Sequence, residues 1–406
     1  MTEKFSPLSD RAPKRSTARN AFAFAEGSDH KFFKSLLLSS AFLLVFLCAQ
    51  PKAFGQVTIL HNFGDGTVIN DGHYPSTGLV QASDGNFYGS GVITGTTKQP
   101  AVYQMTTAST VTLVKLFARN VVLPAFYPLL DYKGKLIGIA YTNGSVATLY
   151  ALTESAKGTW SRTNWYTFST SSAGIGPRGT PILGANGDLY GVTLYGGKNG
   201  GGTAYKVNPT THSLTFFSNF PSRAPAANPV TSLLSAADGN FYGGTLASIN
   251  SSGEIFKMTP AGKLSTFYTF TGTPGLNGPL IQGTDGNFYG ATGNTLFKLT
   301  PGASFSVLHT FGLGTDGAGP GSVTQGSNGN LYGLCSVGGT AGYGTIFEIS
   351  TDGSSYTVLH NFGDGSIQND GQYPQDRLLL GGDKNFYGVT QSGGSAGYGT
   401  IFRVSP

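Results

Sequence analysis

The chain has 406 residues, of which 39% are hydrophobic, 12% aromatic and only 11% charged, and 61 are glycine. So many Phe and Tyr exclude a disordered chain, and glycine, at about 1 kcal/mol per helix-interior site, argues against a helical bundle. Most of the net charge of +5 sits at one end: residues 1–55 carry eight basic and four acidic side chains, the remainder 17 and 16, so no basic footprint for nucleic acid is left.

In chain order, residues 1–30 read as a polar extension and 31–55 as an export signal. Lys31 and Lys34 precede an apolar run from Ser35 to Ala49, and Ala53-Phe54-Gly55 offers a small-x-small cleavage site. The run is short for a membrane span, which needs about 20 residues; an uncleaved signal anchor is the alternative. Cys48 would leave with the signal, and Cys335 then stands alone as a buried strand residue.

Residues 56–406 repeat one phrase seven times, as in Asp84-Gly-Asn-Phe-Tyr-Gly89, Asn186-Gly-Asp-Leu-Tyr-Gly191, Asp285-Gly-Asn-Phe-Tyr-Gly290 and Asp383-Lys-Asn-Phe-Tyr-Gly388. A short apolar run precedes each copy. An alternating run such as Ile255-Phe-Lys-Met258 and a last strand such as Val307-Leu-His-Thr-Phe311 follow. Four strands in about 50 residues, punctuated by Asp-Gly hairpin turns, predict a propeller blade. The fold class is therefore all-β: a seven-bladed β-propeller of four-stranded antiparallel blades. The last repeat ends after its third run, and a spare fourth run, Val57-Thr-Ile-Leu-His-Asn-Phe63, opens the mature chain. Strand 57–63 is thus expected to complete the last blade and close the ring.

The phrase at Gly283–Thr292, and Gly338-Gly-Thr-Ala-Gly-Tyr-Gly-Thr-Ile-Phe347 with its copy Gly393–Phe402, resemble the Gloeobacter–Verrucomicrobia (GloVer) tandem repeat. The resemblance covers residues 57–406 and departs most in the second repeat, which has Lys135-Leu-Ile. It implies an exported bacterial propeller-like protein and supplies no catalytic residue.

Two links between repeats share one sequence, from His61 to Pro75 and from His360 to Pro374. Each carries hard oxygen donors in a Gly-rich loop: Asp65, Asn70 and Asp71, and Asp364, Asn369 and Asp370. Such donors suit Ca²⁺, while Asp-Gly and Asn-Asp-Gly also make tight turns without metal. Tyr343 and Tyr398, beside these links, are candidates for a sugar-binding face together with Asn70 and Asn369, or else pack between blades. His61, His309 and His360 occupy one repeat position on outer strands of three blades, too far apart to share a metal. No nucleophile set or carboxylate pair emerges from the sequence.

The expected function is a non-enzymatic exported scaffold, extracellular, periplasmic or at the cell surface. It binds a polysaccharide or a protein partner at the loop face as a monomer, with no firm cofactor and Ca²⁺ as the one candidate, no nucleic acid, and no membrane contact apart from the signal. The rival readings are a secreted carbohydrate-active hydrolase or lyase acting at the channel mouth, and a structural envelope component.

Overall fold

The computed structural model describes residues 55–406 except 69–70, 94–98, 124–127, 144–145, 157, 223–226, 246–252, 272–274 and 313. The expected N-terminal extension and all but the last residue of the export signal lie outside the described residues, as does Asn70. The described residues form strands and turns without a helix. Seven antiparallel sheets follow one another along the chain. Blade 1 spans 80–116, blade 2 121–168, blade 3 175–219, blade 4 234–269, blade 5 281–310 and blade 6 318–361. Blade 7 comprises 372–404 and the N-terminal strand Val57–Asn62.

The ring closes as the strand count requires. Val57–Asn62 pairs antiparallel with Thr400–Val404, in the register Val57↔Val404 and Ile59↔Phe402. The amide of Phe63 donates to the Gly399 carbonyl at 3.0 Å. Blades 2 and 6 each break the inner strand in two, into Val121–Val122 with Leu130–Tyr132, and Ala318–Pro320 with Thr324–Gln325.

Seven buried apolar clusters lie between the blades, one per interface. The cluster of Phe63, Leu79, Phe87, Tyr103 and Val389 joins blade 7 to blade 1; that of Tyr332, Ile346, Phe386 and Phe402 joins blade 6 to blade 7. Each fully buried Phe or Leu contributes roughly 1.5–3 kcal/mol, so stability is spread around the ring. Burial on both faces of each sheet explains why apolar residues stand at adjacent positions instead of alternating.

The repeated phrase has two physical reasons. Its carboxylate caps the hairpin: Asp84 Oδ1 accepts from the Asn86 amide (2.9 Å) and Asp84 Oδ2 from the Tyr88 hydroxyl (2.6 Å). Blades 4, 5 and 7 repeat this with Asp238, Asp285 and Asp383. Its last glycine faces an aromatic ring across the strand pair: Gly89↔Tyr103, Gly138↔Tyr150, Gly191↔Tyr205, Gly243↔Phe256, Gly290↔Phe297, Gly333↔Phe347 and Gly388↔Phe402. A Cβ at any of the seven would lie within 3 Å of that ring, so a strand-interior glycine is kept where a neighbouring side chain must lie across the backbone.

Outer strands share one irregularity. Pairing with the third strand skips a single residue in every blade: Leu60, Val114, Trp165, Phe217, Phe267, Leu308 and Leu359. Such a bulge bends and twists the strand. It also places His61, His309 and His360 immediately after the skipped residue, next to the links between blades.

Candidate ligand site at the channel mouth

The twin links fold alike. Asp71 is buried, accepts a hydrogen bond from the Gly64 amide at 3.1 Å, and lies 2.8 Å from His61 Nε2. Asp370 repeats this with Gly363 at 3.0 Å and His360 at 2.8 Å. In blade 5, Asp316 lies 3.2 Å from His309 and takes the Gly312 amide. The three histidines therefore hold three separate aspartates, and each pair clasps the end of an outer strand to the following link. The pairing was hidden in the sequence because the partners are seven or ten residues apart along irregular loops.

Asp65 and Asp364 are exposed and cap their own turns, accepting from the amides of Thr67 (2.9 Å) and Ser366 (2.8 Å). Partial burial would raise the pKa of each, but hydrogen bonds from Thr67 and Ser366 outweigh it and hold both carboxyls below the ordinary value. Asn369 is exposed, in the left-handed region at φ +59°. Among the described residues, no three His, Cys, Asp or Glu side chains are grouped to hold a metal.

Tyr343 and Tyr398 are half-buried. Tyr398 stacks on His73 (ring centroids 4.0 Å apart, 4° between planes) and meets Tyr74 edge-on, while Tyr343 meets Tyr373 edge-on. Their carbonyls accept the amides of Tyr74 and Tyr373. Both tyrosines thus pack the loop between strands two and three of one blade onto the link that enters the next. These contacts put the two kinds of loop on one face, as the topology requires.

At this face the channel opens into a cavity of about 780 Å³. It is walled by the segments that begin the inner strands: Ser76 in blade 1, Arg178 in blade 3, Val230–Ser232 in blade 4, Asn277–Pro279 in blade 5, Gly319–Ser322 in blade 6 and Tyr373–Asp376 in blade 7. The wall is mostly small, hydroxyl or amide. Several of these groups also fasten blades together: the Thr180 amide donates to Ser232 Oγ (3.0 Å), Ser322 Oγ to the Pro279 carbonyl (2.8 Å) and Asn277 Nδ2 to the Pro320 carbonyl (3.2 Å). Exposed apolar side chains stand near this end of three blades. Val337 lines it in blade 6, and Tyr195, 50% exposed, holds the same position in blade 3; Tyr74, 39% exposed, precedes the wall in blade 1.

Arg178 and Asp376 are the charged side chains of this wall. The inner strand of blade 7 loses register between Gln375 and Leu379, and Asp376 sits in that bulge at φ +59°. Blade 3 bulges at the equivalent place, with Gly179 at φ +69°. A side chain in the left-handed region costs about 1–2 kcal/mol that glycine avoids. Asp376 Oδ2 accepts the Gly78 amide of blade 1 at 3.1 Å, and its backbone carbonyl lies against Gly321 of blade 6. Burial pushes the carboxyl up to about 6, against the downward pull of Arg377 and the Gly78 amide. The signal that could have found it is the charged pair Asp376-Arg377, where the other inner strands carry Thr77-Gly78, Gly179-Thr180, Thr231-Ser232 and Gly278-Pro279.

As a catalytic centre this wall is sparse. Among the described residues it offers one carboxylate, whereas glycoside hydrolysis by paired carboxyls needs a second within about 10 Å. Cys335 is fully buried, and burial pushes its thiol up to about 12, far from a reactive thiolate.

Solved structures share the fold. The chain resembles the extracellular domain of a hybrid two-component system from B. thetaiotaomicron with TM-score 0.57 and 12% identity, over 86% of this chain and 39% of that one. A second such extracellular domain from the same organism gives TM-score 0.50 and 12% identity, over 84% of this chain and 40% of that one. The chain thus spans about two-fifths of the length of these structures. No curated protein matches the sequence. The Gloeobacter/Verrucomicrobia repeat matches residues 128–295 and 293–406, and the chain belongs to that repeat family.

Proposed function

We propose that this protein is an exported binding propeller that takes a saccharide chain at the channel mouth on the link face. The carrying observation is the cavity of about 780 Å³, walled by hydroxyl, amide, backbone and aliphatic groups and lined by Tyr373, with exposed Tyr195 at the blade 3 position equivalent to the lining Val337. That size suits a small ligand or the end of a chain. A near-neutral wall of mixed polar and apolar groups that includes a tyrosine matches a ligand made of hydroxyls and C–H faces, since such a ligand is held by hydrogen bonds and ring stacking. Export rests on the Lys31–Gly55 signal pattern and agrees with the extracellular placing of the two similar structures.

The test is a melting-temperature screen of the purified protein against cello-, xylo-, malto- and chito-oligosaccharides. A ligand that binds only the folded state raises its stability in proportion to ln(1 + [L]/Kd). A saturable rise with at least one oligosaccharide is expected, and Tyr195→Ala should weaken it. No shift with any of them moves the reading to a protein partner on the same face.

A further inference from the structure

Resting on that reading, we infer that Asp376 is the ligand-anchoring and specificity-determining residue of the channel mouth, accepting hydrogen bonds from a pair of saccharide hydroxyls. Three features of its geometry carry this. It lines the cavity near the start of an inner strand. It holds a left-handed conformation in a bulge where blade 3 uses glycine, and strain of this kind, held in place by the surrounding structure, clusters at ligand-binding sites. Its Oδ2 is fixed by the Gly78 amide, while Oδ1 accepts no hydrogen bond among the described residues. With one oxygen anchored and the other without a hydrogen bond, the carboxylate is a rigid acceptor, so little ordering remains to be done on binding.

The ligand class follows from the surroundings. A carboxylate accepts from two neighbouring hydroxyls. Arg377 on the same strand and Arg178 across the cavity are the charged groups around it; segments 76–79 and 319–322, which pack against it, carry none, and neither does strand Phe386–Ser392. With cationic neighbours, a neutral polyol fits this wall better than an amine.

Occupancy should depend on pH in a defined direction. Because burial raises the Asp376 carboxyl to about 6, it is protonated and a poorer acceptor at pH 5, and ionised at pH 8.

The experiment is calorimetric titration of the wild-type protein and Asp376→Asn with cellohexaose, xylohexaose, maltohexaose and chitohexaose at pH 5 and pH 8. The wild type should bind one of these about tenfold more tightly at pH 8 than at pH 5. Asp376→Asn should lose about tenfold at pH 8 and show no pH dependence, while melting no lower than the wild type. Equal affinity of the two proteins, or a pH-independent wild type, overturns the role of Asp376 and leaves the saccharide reading standing. No binding by either protein overturns both.

Discussion

At the scale of single residues, the facing of glycine and aromatic ring decides which side chains the second and third strands can carry. Three blades use Tyr at the ring position (Tyr103, Tyr150 and Tyr205) and four use Phe. The hydroxyl of Tyr103 is buried and has no hydrogen-bond partner among the described residues. Burial accordingly drives its pKa well above the ordinary value. An unsatisfied buried hydroxyl costs about 1–3 kcal/mol, so Tyr103→Phe should raise stability by roughly 1 kcal/mol in urea denaturation. A loss of stability would mean that the hydroxyl has a partner. The repeated glycine was plain in the sequence, but its reason was not, because the ring that requires it comes from another strand.

Within a blade, the polar corner of the hairpin can be rebuilt with its carboxylate moved from the turn to strand three. In blades 4 and 5 an Asp at the turn meets a Lys on strand three, Asp238 with Lys257 at 2.8 Å and Asp285 with Lys298 at 3.4 Å. In blade 6 the turn carries Asn328 and strand three carries Glu348, which accepts from Asn328, Asn330 and Tyr332 at 2.7–3.0 Å. Tyr332 keeps an acceptor in either version. Glu348→Lys alone should destabilise by about 1–2 kcal/mol, because it removes that acceptor. Adding Asn328→Asp should recover most of the loss, and a double-mutant cycle reads the coupling; additive losses would refute the exchange. Strand number, order and blade count were legible because period and turn chemistry are local. The outer-strand bulges, the His–Asp clasps and the bulge that holds Asp376 were not, since each depends on pairing register or on residues of a neighbouring blade.

For the whole molecule, closure depends on Val57–Asn62. It supplies the outer strand of blade 7 and leads into the link that carries Asp71 and Tyr74. Further ties hold this closure: Gln81 Oε1 of blade 1 accepts the Gly382 amide of blade 7 at 2.8 Å, and Asn62 Oδ1 accepts the Ser395 amide within blade 7 at 2.9 Å. Deleting residues 57–62 bares the edge of Thr400–Val404, and an unpaired strand edge invites association. The shortened protein should lose several kcal/mol of stability and self-associate on a sizing column; a monomer of unchanged stability would contradict closure by this strand. Closure also determines where the ligand face lies, because it sets blade 1 beside blade 7 and brings the Gly78 amide to Asp376. The most direct test of a channel-mouth site is hydroxyl-radical footprinting of the protein with and without the oligosaccharide that raises its melting temperature most. Protection should appear at Tyr195, Val337 and Tyr373–Gln375, with the hairpins at Asp84–Asn86 and Asp285–Asn287 on the opposite face unchanged. Protection confined to those hairpins or to the outer strands would contradict a site at the channel mouth.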